Sequence, residues 1–185
     1  MLPAMSGGQW LSLGLLALLV FWMVGAYNRL VALRNVIGAA FAQVDELVQR
    51  RAAAATALVE LARPEMASEQ AALDAWVAAQ GAVREAAQAL RARPVVAARA
   101  AALTAAEPPL AAAAARVMAL LEQHPALLQQ AMSAAHLATL RETETRLGFA
   151  RQQFNEAVQA YNDAARQFPT RLLVRLYGFG TAGRL

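Results

Sequence analysis

His124 and His136 are the side chains of this 185-residue chain whose ordinary pKa lies near neutrality, and neither stands where catalysis needs it. His124 precedes Pro125 in a turn between helical stretches, where a histidine caps a helix or meets solvent. His136 is followed three and four residues on by Thr139 and Leu140, so the paired spacing of a helical zinc site is missing. Gly178, Gly180 and Gly183 match the letters of a dinucleotide-binding loop. That loop needs a strand before it and a helix after it, and only Arg184 and Leu185 follow. Cys and Lys are absent, which excludes thiolate nucleophiles, cysteine-bound metal clusters, Schiff-base chemistry and a phosphate-loop lysine. The thirteen acids are scattered, and Glu142 and Glu144 point to different sides of one helix. The expectation is a protein that is not an enzyme, with no metal, no cofactor and no small-molecule substrate. All 17 basic residues are Arg and the net charge is +4, yet they are spread along helices without a recognition motif, so no nucleic-acid partner is expected.

The elements that carry these residues are helical. Ala supplies 48 positions, strand alternation appears nowhere at useful length, and prolines at 64, 94, 108–109, 125 and 169 divide the chain. The pieces so defined are Tyr27 to Arg63, Glu65 to Arg93, Val95 to Ala106, Leu110 to Gln123, and a long run from Pro125 to Phe168. The fold class is all-α. In the last run Leu140, Leu147, Phe154, Tyr161 and Phe168 recur every seven residues, with Leu137, Val158 and Ala165 on the neighbouring ridge, the spacing of a bundle seam. Leu30, Ile37, Phe41, Val44 and Val48 form a matching seam in the first helix.

Glu144 and Arg151 occupy ridge positions that an apolar seam would fill. One reading places the ridge at the bundle edge, with both head groups in water. The other is a polar layer in which Glu144, Arg151, Asn155 and Asn162 pair with Arg34, Asn35 or Asp45 and fix helix register.

Before Arg29 there is no charged side chain, and Trp10 to Tyr27 is almost unbroken apolar sequence, near the ~20 residues a membrane span requires. A cleaved signal peptide is the rival. Its charged leading region is missing, and the helical pattern runs on past Tyr27, so an uncleaved anchor over residues 1–28 is expected, followed by a bundle over 29–169. Arg29 and Arg34 just after the span place the body in the cytoplasm by the positive-inside rule. Residues 170–185 form a basic, apolar tail. From Arg166 onwards there are arginines at 166, 171, 175 and 184 and no acid, so Arg166, Arg171 and Arg175 are candidates for contact with anionic lipid. The alternative is that Leu172, Leu176 and Phe179 cover the bundle end while the arginines are merely solvated.

Four stretches resemble the LemA family of bacterial membrane-anchored helical proteins. They are Tyr27 to Val31 with Arg34-Asn35, Asp45 and Arg50-Arg51; His124 to Leu127; Leu140 to Arg151 running on through Phe154-Asn155, Ala157-Val158 and Tyr161-Asn162; and Phe168-Pro169 with Leu172 and Leu176 to Phe179. The third is the most specific. The alanine tract Ala52 to Ala55, where family members carry a polar and aliphatic segment, predicts a straighter first helix. The resemblance implies one N-terminal transmembrane anchor in the bacterial cytoplasmic membrane and an elongated antiparallel bundle of about four main helices. It brings no enzymatic activity. Some members are encoded beside membrane zinc metallopeptidases, which implies a protein partner of that kind, or self-association, and a scaffold or adaptor role in envelope stress or membrane-protein quality control. The alternative function is a lipid-surface sensor whose basic tail binds anionic membrane.

Overall fold

Helix α1 runs unbroken from Gly7 to Ala62 in the computed structural model, which describes residues 7–168, 170–171, 174 and 180–185. No proline interrupts those 56 residues, and at ~1.5 Å per residue they form a rod of about 84 Å. Its two halves meet different surroundings. The apolar stretch towards the N-terminus is unburied, with Leu11 79% and Phe21 77% exposed, whereas from Leu30 onward Ile37, Phe41, Val44 and Val48 are buried. A soluble core helix would hide its most apolar window. This one hides its less apolar half, which is the pattern of a helix long and apolar enough to cross a bilayer.

Pro64 ends α1, and Arg63 stitches the turn that follows, donating to Glu60, Gln70 and Asp74. The Gln70 amide in return donates to the Arg63 and Met66 carbonyls, and the Met66 side chain closes the outer end of the core. A single 3₁₀ turn, Ala67–Glu69, then leads into α2, Gln70–Ala92. After Pro94 comes α3, Ala97–Leu121, which corrects the expected break at Pro108-Pro109. Both prolines lie on the exposed face, and so do Thr104 and Ala105, whose carbonyls lose their helical N–H partners. On a solvent-facing side such freed carbonyls cost little, and the helix continues.

The run from Pro125 is likewise not one helix. A short α4, Pro125–Gln129, is separated from α5, Ala131–Arg166, by Gln130 in an extended conformation (φ −66°, ψ 132°), a step that lets Leu127 turn inward and plug the core. Among the described residues there is no strand, and the fold is an all-α bundle. Pairs running from Arg29–Gln167 through Phe41–Phe154 to Arg51–Glu144 mark α1 and α5 as antiparallel neighbours. α1 also packs on α2, and α2 on α3, so α1 and α3 sit diagonally. The ring is incomplete, because α3 and α5 have almost no close backbone approach.

The seam residues Leu147, Phe154, Val158, Tyr161 and Ala165 are buried, and Leu137 and Leu140 are half-buried. Phe168 departs from the expected pattern. It lies beyond the end of α5, is 72% exposed, and meets Trp22 ring to ring, tilted by 55° with centroids 6.0 Å apart, where the apolar half of α1 joins the bundle. Phe154, fully buried with its ring edge-on to Phe41 at 5.7 Å, ties the two long helices together. Phe154→Ala is expected to cost about 3–5 kcal/mol through lost contact and a cavity, seen as a fall of about 10 °C or more in the melting temperature of the detergent-solubilised chain.

Candidate functional site: an ion bridge, a docked tail and an open seam

The gap between α3 and α5 is occupied differently along its length, and Glu107 stands at its middle. Arg51, on α1, has a side chain only 6% exposed and reaches diagonally through the core. Its Nη1 and Nη2 donate to Glu107 Oε2 and Oε1 at 3.2 and 3.0 Å, a two-pronged pair, and Nη1 also donates to Glu144 Oε2 at 3.2 Å. From the other side Arg151 Nη2 meets Glu107 Oε1 at 2.6 Å. One carboxylate therefore links α1, α3 and α5. Burial pushes the Glu107 carboxyl up, but the hydrogen bonds and charge of Arg51, joined by Arg151, outweigh this and hold it below its ordinary value.

On the side nearer the apolar half of α1, residues 180–185 lie in the gap as an extended strap. Asn162 Nδ2 donates to the Ala182 carbonyl at 3.0 Å while the Ala182 N–H donates to Asn162 Oδ1 at 2.9 Å. One helical repeat of seven residues earlier, Asn155 grips Leu185 in the same two-point manner, at 2.7 and 2.9 Å. The Tyr161 hydroxyl donates to the Gly180 carbonyl at 3.2 Å, and burial pushes its phenol up despite the nearby charge of Arg34. Gly183 faces the start of α3 so closely that a Cβ there would lie 2.8 Å from the Ala97 Cα. Ala182 is buried and Leu185 packs against the core.

These contacts redraw the polar layer expected from the sequence. Glu144 and Arg151 engage Arg51 and Glu107 instead of Arg34, Asn35 or Asp45. Asn155 and Asn162 serve the tail. Asp45 is buried but accepts from Arg91 of α2 at 3.1 Å, and Arg34 and Asn35 are exposed. Of the candidate lipid contacts, Arg166 and Arg171 are exposed, and Arg175 lies outside the described residues, as do Gly178 and most of the apolar tail residues. The end of the tail, Gly180 to Leu185, packs into the bundle through backbone and small side chains. Gly183 thus has a packing role that a phosphate-loop reading would not give it.

Sequence reasoning missed Glu107 as a site residue. The Pro108-Pro109 pair after it read as a boundary, and a residue at a helix end is not counted as core. A usable signal was present, since Glu107 is the sole acid between Glu85 and Glu122 in an alanine-rich segment. Among the described residues no group of three or more histidines and acids is placed to hold a metal ion.

On the outer side of the bridge the seam is open. A cavity of about 370 Å³ is lined by Leu110, Met118, Leu137 and Leu140 on its walls and by Trp76 and Gln80 of α2 at its floor. The model of the LemA family matches residues 40–184, a stretch that begins beyond the apolar half of α1 and takes in the docked strap as far as Arg184. A comparison with curated proteins finds none that matches.

Glu107→Gln is expected to leave Arg51 under-paired and to lower stability at pH 7 by about 1.5–3 kcal/mol, the range for hydrogen bonds to charged groups. Because the folded-state pKa is depressed, this contribution is present above the unfolded value of about 4.3 and is lost as pH falls through the folded value. Urea titrations across pH should therefore show the wild type and the variant converging in acid. Gly183→Val is expected to eject the strap while leaving the helices formed: amide hydrogen exchange of residues 180–185 rises to that of a free chain, and helical circular dichroism is unchanged.

Proposed function

The chain belongs to the LemA family, and from that premise we propose that it is a non-catalytic, single-pass membrane protein whose helical rod works as a scaffold or adaptor at the face of the bacterial cytoplasmic membrane. The observation that carries this reading is the division of α1. One continuous helix presents an entirely unburied apolar half and then enters a packed bundle, with no loop between. Exposing this much apolar surface to water is unfavourable at ~25 cal/mol per Å², and a bilayer removes the cost. Trp22 and Arg29 at the join suit the lipid–water boundary, and the charge bias of Arg29 with Arg34 after the apolar stretch supports a bundle on the cytoplasmic side. The bundle acts by contact, with another envelope protein, such as a membrane metallopeptidase, or a second copy as its partner, in envelope stress or membrane-protein quality control.

A second reading is supported by the exposed Arg166 and Arg171 close to Trp22 and Arg29, which set positive charge beside the bilayer surface. In it the protein senses anionic lipid through the basic tail. Photo-crosslinkers at the exposed Phe149 and Val36 separate the two. A scaffold gives reproducible protein adducts in native membranes that do not change with lipid charge. The sensor gives adducts that depend on anionic lipid and fall with salt. Mature protein that starts at Tyr27 and stays in the soluble fraction overturns both.

A further inference from the structure

We infer that the open outer half of the α3–α5 seam is a seat for an extended, apolar peptide segment of a partner protein, bound in the manner in which the inner half holds the chain's own tail. The first argument is continuity. One seam runs between two helices that do not close on each other, and where it is filled, the filler is extended backbone gripped by side-chain amides at Asn155 and Asn162. Beyond the Glu107–Arg151 bridge the same seam continues with none of the described residues filling it, with apolar walls and a volume of about 370 Å³, within the ~300–1,000 Å³ of ligand pockets.

The second argument is what lies at the floor. Trp76 and Gln80 are 2% and 3% exposed, and both the Trp76 Nε1–H and the Gln80 Oε1 are buried without a hydrogen-bond partner. Four residues apart on α2, they share one face. They are one donor and one acceptor, the complement of a peptide carbonyl and a peptide N–H. Buried polar atoms left unpaired are costly, so a ligand supplying both groups recovers that loss.

Charge and position narrow the class further. The lining carries Arg51 and Arg141 against Glu107 and Glu144, a balanced set that selects for a neutral ligand over an ion. A lipid chain would fill the walls but leave the indole and the amide unpaired. Arg51 also lies about 35 Å along α1 from Asn28, beyond the reach of the bilayer. The inference rests on the scaffold reading and names the kind of partner segment it takes.

The test uses the full chain in detergent micelles, labelled to report the Trp76 indole N–H by nuclear magnetic resonance, with a blocked peptide, N-acetyl-Ser-Leu-Val-Leu-Ser-amide, as probe. The expected result is a saturable shift of the Trp76 signal while Trp10 and Trp22 stay fixed. Gln80→Met removes the acceptor and an unpaired buried atom together. It is expected to keep or raise the melting temperature yet weaken peptide binding about fivefold, the effect of one hydrogen bond. Ala114→Trp, which fills the groove, should abolish the shift. The inference is overturned if the peptide leaves Trp76 unmoved, if dodecanoic acid shifts it equally, or if Gln80→Met binds as tightly as wild type. Such a result with crosslinks to Phe149 and Val36 intact removes the groove alone. Absence of those crosslinks removes the scaffold reading itself.

Discussion

The geometry of the bundle depends on one carboxylate shared between two guanidinium groups. α3 and α5 have almost no close backbone approach, so the helical ring is weakly closed along that edge, and Glu107 holds it by bonding Arg151 on α5 and Arg51 on the diagonal helix α1. A buried ion pair is weak evidence for net stability, because desolvation offsets much of the attraction. Its effect here is geometric. Three helices must be in register for Glu107 to satisfy both arginines, and a slip of one turn on any of them would leave a charge buried and unpaired.

The strap from Gly180 to Leu185 is the other half of the same solution. An extended segment packed on helices needs partners for the N–H and carbonyl groups it turns inward, and Asn162 and Asn155 supply them to Ala182 and Leu185 at a seven-residue spacing, as a neighbouring strand would. On its opposite side the strap must pass a helix backbone at close range, which is why Gly183 stands against Ala97. The result is a helical bundle with one seam closed by side-chain amides instead of by a helix.

Much of this architecture was legible in the sequence, and the failures have physical reasons. Apolar recurrence at seven residues located the α1 and α5 seams because a long rod must bury a continuous stripe. Proline marked boundaries at 64 and 94, where chain reversal was needed. It misled at 108–109, where both rings sit on the wet face and the freed carbonyls cost little. Phe168 kept the heptad phase but fell past the helix end, so its partner became Trp22. Glu144, Arg151, Asn155 and Asn162 stood out as polar residues on an apolar ridge. Their partners could not be read, since Glu107 and the tail lie far off in the chain and pair only after the helices have assembled. The floor of the open groove was wholly invisible: an unpaired Trp76 and Gln80 look like ordinary core until the seam beside them is seen to be open.

That α1 passes from its apolar half into the bundle without a hinge has a mechanical corollary. Bilayer thickness biases the tilt of a spanning helix, and a stiff helix carries that tilt beyond the lipid. From Asn28 to Ala62 the rod extends about 50 Å, so a reorientation of about 10° sweeps its outer tip, with the Arg63–Asp74 turn, sideways by about 9 Å. In the anchored scaffold proposed above the molecule is geared as a lever, in which a small change in membrane thickness becomes a large displacement of its far end.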